Sequence, residues 1–324
     1  KRPMPVQKKS LERMILVGLI IAVIAVIGYR FFEKKSPDAL LPWQSDTGVP
    51  PAGQPGQPTE GGETILPSGE PSPALPPAEQ PGEAAIPKAM RAQFNALPEI
   101  SQQGIALLTA PEPPDSESLR QWIEAFFAYL DEQNYIKEYN LGQSTKDRYN
   151  TLMARLEENP PVVSEAALNF DTVLRNIIHF YEVLGVDNLP LAKKVIEEES
   201  VNSEAIMGVF HEYAVRHDPS QDEGVVVPSL PVRYEYASYL LTTIGGRSYL
   251  YRRDSRIRIL TTYYAVLTLH EANVMTLNQY GIDIVPYLDS VAAEIAARND
   301  LVLRDRYLAH LEDLKMTYAA DRAR

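Results

Sequence analysis

Apolar residues recur at helical spacing through the last three-quarters of the chain and run unbroken near its start. The clearest periodic stretch is 118–137, where Leu119, Trp122, Ile123, Phe126, Phe127 and Leu130 fall on one stripe of a helix. Pro113-Pro114 closes what precedes it, and Ser118 with Gln121 predicts a capping box. A second helix is expected from Ser144, with Asp147 three residues on, to the Asn159-Pro160-Pro161 break. A third runs from Ser164 to Gly185, with Phe170, Leu174, Ile177, Ile178, Tyr181 and Leu184 on one face and Gly185 as its stop.

Shorter helices follow near 190–199 and from Asn202 or Ser203 to His217. The loop 218–231 holds the one strand-like run, Val225–Val227. Pro231 opens a helix that Gly245-Gly246 is expected to stop, and a long helix capped by Asp254 or Ser255 reaches about Gly281. Two more occupy roughly 286–298 and 300–320, the last striped by Leu303, Tyr307, Leu311, Leu314 and Tyr318. One or two short helices fit 88–109, interrupted near Pro98. Residues 88–324 therefore read as an all-α domain, an irregular bundle of nine or ten helices, with no repeat of solenoid length.

The first quarter is different. Met14 to Tyr29 carry no charge, and Arg30-Phe31-Phe32 extends the run to an edge that suits the headgroup region. About 20 mostly apolar residues cross a bilayer, so 14–32 reads as a single transmembrane helix. No small-residue cleavage site follows it, which favours an uncleaved signal-anchor. Five Lys/Arg precede the run and three follow closely, placing the basic segment 1–13 in the cytosol and the domain outside it, in the periplasm of a Gram-negative source. Residues 33–87 are rich in Pro, Gly and Glu without apolar period, a disordered acidic tether that spans about 40 Å as a coil.

Charge and composition narrow the chemistry. Residues 88–324 hold 23 Lys/Arg against 34 Asp/Glu, which argues against nucleic acid as a partner. The chain has no cysteine, so thiolate catalysis and Cys-ligated metals or haem are excluded. The residues three before the five histidines are Asn176, Gly208, Ala214, Leu267 and Tyr307, so no Glu-x-x-His pair exists. His211-Glu212 and His270-Glu271 lack the second histidine of a zincin helix. His270 falls on an apolar stripe and reads as a hydrogen-bonded core histidine. No nucleophile elbow or phosphate loop is present, and no metal or cofactor is expected.

The stretch 233–264 departs from its acidic surroundings, with seven tyrosines and six arginines against Glu235 and Asp254. Arg256 and Arg258 fall in the first turn of the long helix, where the dipole disfavours cations. Tyr249, Tyr251, Arg252, Arg253, Arg256 and Arg258 are thus the candidate site for a partner or an anion. Internal pairing, including an Asp254–Arg258 contact, is the competing account of the same arginines. The expectation is a membrane-anchored binding or scaffolding module of the cell envelope, its partner another envelope protein or an anionic ligand. The alternative is a tethered hydrolase acting on an envelope polymer, with 233–264 lining its cleft.

Overall fold

The computed structural model describes residues 90–139, 141–163, 170–185, 189–218 and 224–322. The expected anchor and tether lie outside these residues. Among the described residues no helix is long and apolar enough to cross a membrane.

Thirteen α-helices and no strand form the described residues. They are α1 (Arg91–Asn95), α2 (Glu99–Leu108), α3 (Ser116–Glu132), α4 (Asn134–Lys137), α5 (Thr145–Glu158), α6 (Phe170–Leu184) and α7 (Leu189–Glu198). After a 3₁₀ turn at Ser200–Asn202 come α8 (Ser203–Arg216), α9 (Leu230–Thr242), α10 (Ile244–Tyr251), α11 (Ser255–Val274), α12 (Val285–Ala296) and α13 (Arg304–Arg322). The count exceeds the nine or ten expected because local breaks divide stretches that look continuous. Gln133, extended at ψ 135°, separates α3 from α4.

Two helices with apolar residues on nearly all sides form the centre. α11 buries Ile257, Ile259, Leu260, Tyr263, Val266, Leu267 and Leu269, and it packs against α8, α9, α10 and α12. α8 buries every residue from Ser203 to Phe210 and contacts α2, α3 and α11. A helix without a polar face belongs inside, and these two are surrounded. The 118–137 stripe is core as its period requires, with Leu119, Ile123 and Leu130 fully buried and Trp122 stacked on Phe126. Its cap is Asp115 rather than Ser118, the Asp115 carboxylate accepting from Ser118 N–H at 2.7 Å. Ser144 caps α5 as expected, accepting from Asp147 N–H. Gly185 ends α6 at φ 83°.

Three boundaries differ from the sequence pattern. Gly245 and Gly246 lie inside α10 and do not stop α9, which ends at Thr243, whose own hydroxyl caps α10. The glycines are required by proximity: a Cβ on Gly246 would sit 2.1 Å from the Tyr239 carbonyl oxygen, and one on Gly245 2.6 Å from the backbone of Asn176. The long helix stops at Val274, with Thr276 at φ 56°, well before Gly281. Val225–Val227 is an irregular segment, pinned by Val226 N–H donating to the Asn150 side chain at 2.9 Å.

Candidate functional site

The tyrosine- and arginine-rich stretch folds into α9, α10 and the first half of α11, and its six candidate residues have different fates. Tyr249 is buried, its ring 4.9 Å from Phe180 of α6, and the guanidinium of buried Arg253 lies over it at 4.1 Å. Burial pushes the Arg253 guanidinium below its ordinary range. Arg256 donates to Glu204 of α8 at 2.9 Å. Arg258 donates to Glu294 of α12 at 3.0 Å, so its acid comes from another helix and not from Asp254. Asp254 instead caps α11, accepting from Arg256 N–H at 2.8 Å. Arg252 is half-buried at the end of α10. Tyr251 is 74% exposed, with the Arg258 guanidinium over its ring at 6.0 Å.

Glu204 shows what the Arg256 pair accomplishes. Its side chain is 1% exposed, and it also accepts from the backbone N–H groups of Val302 and Leu303 at 2.9 and 3.0 Å. One carboxylate thus joins α8 to the start of α11 and to the turn before α13. Burial raises its proton affinity, while Arg256 and the two N–H groups act against that rise.

On the surface, α6 departs from the usual arrangement. An apolar helix face is ordinarily buried, yet Phe170, Leu174 and Ile177 are 76%, 44% and 42% exposed, and Tyr181 lies exposed in the same row. The residues facing inward include Asn176 and His179. Asn176 donates to the Val162 carbonyl at 3.0 Å and accepts from Tyr239 Oη at 2.6 Å through its own carbonyl. His179 Nε2 lies 3.2 Å from Tyr236 Oη, and burial pushes its pKa down to about 4. Gly245 of α10 lets the backbone of Asn176 approach closely. α6 thus turns Asn176, His179, Phe180 and Leu184 to the body, and the row Phe170, Leu174, Ile177 and Tyr181 points away from it.

A half-open cavity of about 120 Å³ lies between α5, α8, α9 and α11, bordered on one side by Val227 and Pro228. Tyr149, Met207, Phe210, Leu240 and Ala265 make most of its wall. At the polar edge Arg233 donates to Glu271 at 3.0 Å and to the Ala214 carbonyl at 3.3 Å, its Nε–H is left without a partner, and His211 lies 3.5 Å from the other Glu271 oxygen. Burial, with the charges of Arg233 and His310, pushes His211 down to about 3. Such an imidazole is neutral and too weak a base to take protons effectively near neutral pH.

The alternative reading has 233–264 lining a cleft, and Arg233, Tyr236 and Tyr264 do line this cavity, but nothing in the sequence signals the walls that α5 and α8 contribute. His270 is half-buried and lies 3.1 Å from Tyr318 Oη, the hydrogen-bonded state expected of it. No family model matches the chain, and no curated protein or solved structure matches it either.

Proposed function

We propose that the chain is a membrane-anchored binding module of the cell envelope, holding a helical interaction domain at the end of a flexible tether. Residues 14–32 anchor it, residues 33–87 give it reach, and the helical body carries the recognition surface for another envelope protein. The observation that supports this reading is the outward apolar row of α6. Monomeric surfaces rarely leave contiguous apolar area uncovered without a use for it, and a helix presenting residues at i, i+4 and i+7 fits helix-to-helix recognition. Tyr251 of α10 supplies an exposed aromatic of the kind enriched at interface centres.

The test is site-specific photo-crosslinking in membranes from the source cell. A photoreactive residue at Leu174 should give a discrete protein adduct, whereas one at Glu312 on α13 should not. Replacing Phe170 and Ile177 by Ser should abolish the Leu174 adduct with little change in thermal stability. Loss of folding in that variant would make the face structural and refute the reading. Sequencing the mature N-terminus checks the anchor: a start beyond Phe32 would sink it.

A further inference from the structure

The half-open cavity between α5, α8, α9 and α11 carries an observation that the α6 surface does not explain. Thr261 lines it, is 2% exposed, and its hydroxyl has no hydrogen-bond partner. Threonines within helices commonly donate to the carbonyl four residues back. Thr262 does so to Arg258 at 2.8 Å, and Thr268 to Tyr264 at 3.0 Å. Thr261 does not. A buried hydroxyl left unsatisfied costs about 1–3 kcal/mol, so its retention on an apolar wall calls for something that completes it.

The neighbouring charges pair with each other: Arg233 donates to Glu271 at 3.0 Å, which leaves the Arg233 Nε–H as a further unpaired group beside the cavity. An apolar cavity of about 150 Å³ takes a benzene ring, and this one is about 120 Å³. A carboxylate or ammonium entering it would lose its hydration without finding an unpaired countercharge.

We propose that this cavity binds a compact, uncharged, largely apolar molecule, of the bulk of one aromatic ring, whose single polar atom pairs with the Thr261 hydroxyl. The site is separate from the α6 surface, since no residue of α6 lines it. Specificity comes from the pairing: a ligand with a hydroxyl satisfies Thr261, and the same ring without one leaves the hydroxyl stranded.

The probes are phenol, toluene and benzoate, each titrated against the full chain in one detergent while thermal unfolding is followed by circular dichroism. A ligand of the folded state raises the melting temperature saturably. Phenol should do so, toluene should need about fivefold higher concentration for the same rise, a factor set by one hydrogen bond, and benzoate should give none. Thr261→Val keeps the shape and removes the hydroxyl, so it should bring phenol and toluene to equal effect. Ala265→Met fills the cavity and should remove both responses. If that variant does not fold, the Thr261→Val comparison decides alone. No saturable response to phenol, an unchanged preference for phenol in Thr261→Val, or a benzoate response as large as that of phenol would each overturn the proposal.

Discussion

Replacing Gly246 by Ala sets two effects of opposite sign against each other. In an open helix the change is favourable by about 1 kcal/mol, because alanine loses less backbone entropy. At Gly246 the new Cβ would lie 2.1 Å from the Tyr239 carbonyl oxygen and 2.6 Å from its carbonyl carbon. Ordinary contact begins near 3.4 Å, so α10 must move by roughly 1 Å, and backbone cannot rotate aside as a side chain can. That movement disturbs the Tyr249–Phe180 contact and the Thr243 hydroxyl that caps α10 through Gly246 N–H. Overpacking of this kind costs about 1–3 kcal/mol, and loss of the cap adds about 1 kcal/mol. With the propensity gain set against these, the net expectation is a loss of about 1–3 kcal/mol, read as a lower urea midpoint by far-UV circular dichroism. Gly281→Ala is the control for the added methyl group, since nothing lies within 4 Å of a Cβ there and only the cost of its φ of 62° remains. A neutral or stabilising Gly246→Ala would refute the close seating of α10 on α9.

Three further outcomes follow from the same geometry. Phe126→Ala, at the buried centre of α3, should cost about 3–5 kcal/mol in urea denaturation; a loss below about 1 kcal/mol would mean that α3 is not core. Arg256→Glu should destabilise by about 3–5 kcal/mol because it strands buried Glu204, whereas Arg258→Glu, facing the half-exposed Glu294, should cost about 1 kcal/mol or less; equal effects would contradict this assignment. His179 is held at about 4, below its ordinary 6.5, so the stability it confers is complete above pH 6.5 and is lost as pH falls towards 4. His179→Phe should reduce the acid-side slope of stability by up to about 1.4 kcal/mol per pH unit, and a slope equal to that of the parent protein would refute the burial of the imidazole.

The sequence made some of this legible, for reasons that lie in the range of the interactions. Trp122, Phe126 and Leu130 repeat at helical spacing, and both that repeat and its burial are local consequences of one helix lying on a core. The Ser144 cap and the Gly185 stop are likewise readable, because each needs only a neighbour three or four residues away. Gly245-Gly246 resembled a terminator because a glycine pair usually weakens a helix. Its actual reason, the backbones of Tyr239 and Asn176, belongs to two other helices. The arginines show the same limit: Asp254 was the only acid within helical reach of Arg258, yet Glu294 and Glu204 arrive from helices 36 and 52 residues away. The walls that α5 and α8 give the cavity were illegible for that reason also. Nothing distinguishes Thr261 from Thr262 until the α5 and α8 walls are in place.

The rotation of α6 follows from these long-range constraints. Periodicity identifies Phe170, Leu174 and Ile177 as one row, but it does not say which side of the helix the body will accept. Turning the row inward would bury three large apolar side chains, worth roughly 2 kcal/mol each. It would also take Asn176 away from Val162, remove His179 from Tyr236, and press a branched side chain against α10 where even a methyl group on Gly245 does not fit. Each lost buried hydrogen bond costs about 1–3 kcal/mol, and the clash adds a similar amount. Turning the row inward would also expose Phe180 and Leu184, which are 3% and 1% exposed as they stand, so most of the apolar burial gained would be offset. The present inward face combines apolar burial with directional bonds, and it leaves several kcal/mol of unrealised apolar burial on the outside of α6. A partner helix laid along that row gains this energy without disturbing any contact that holds the body together, which is why the row is placed at the centre of the proposed recognition surface.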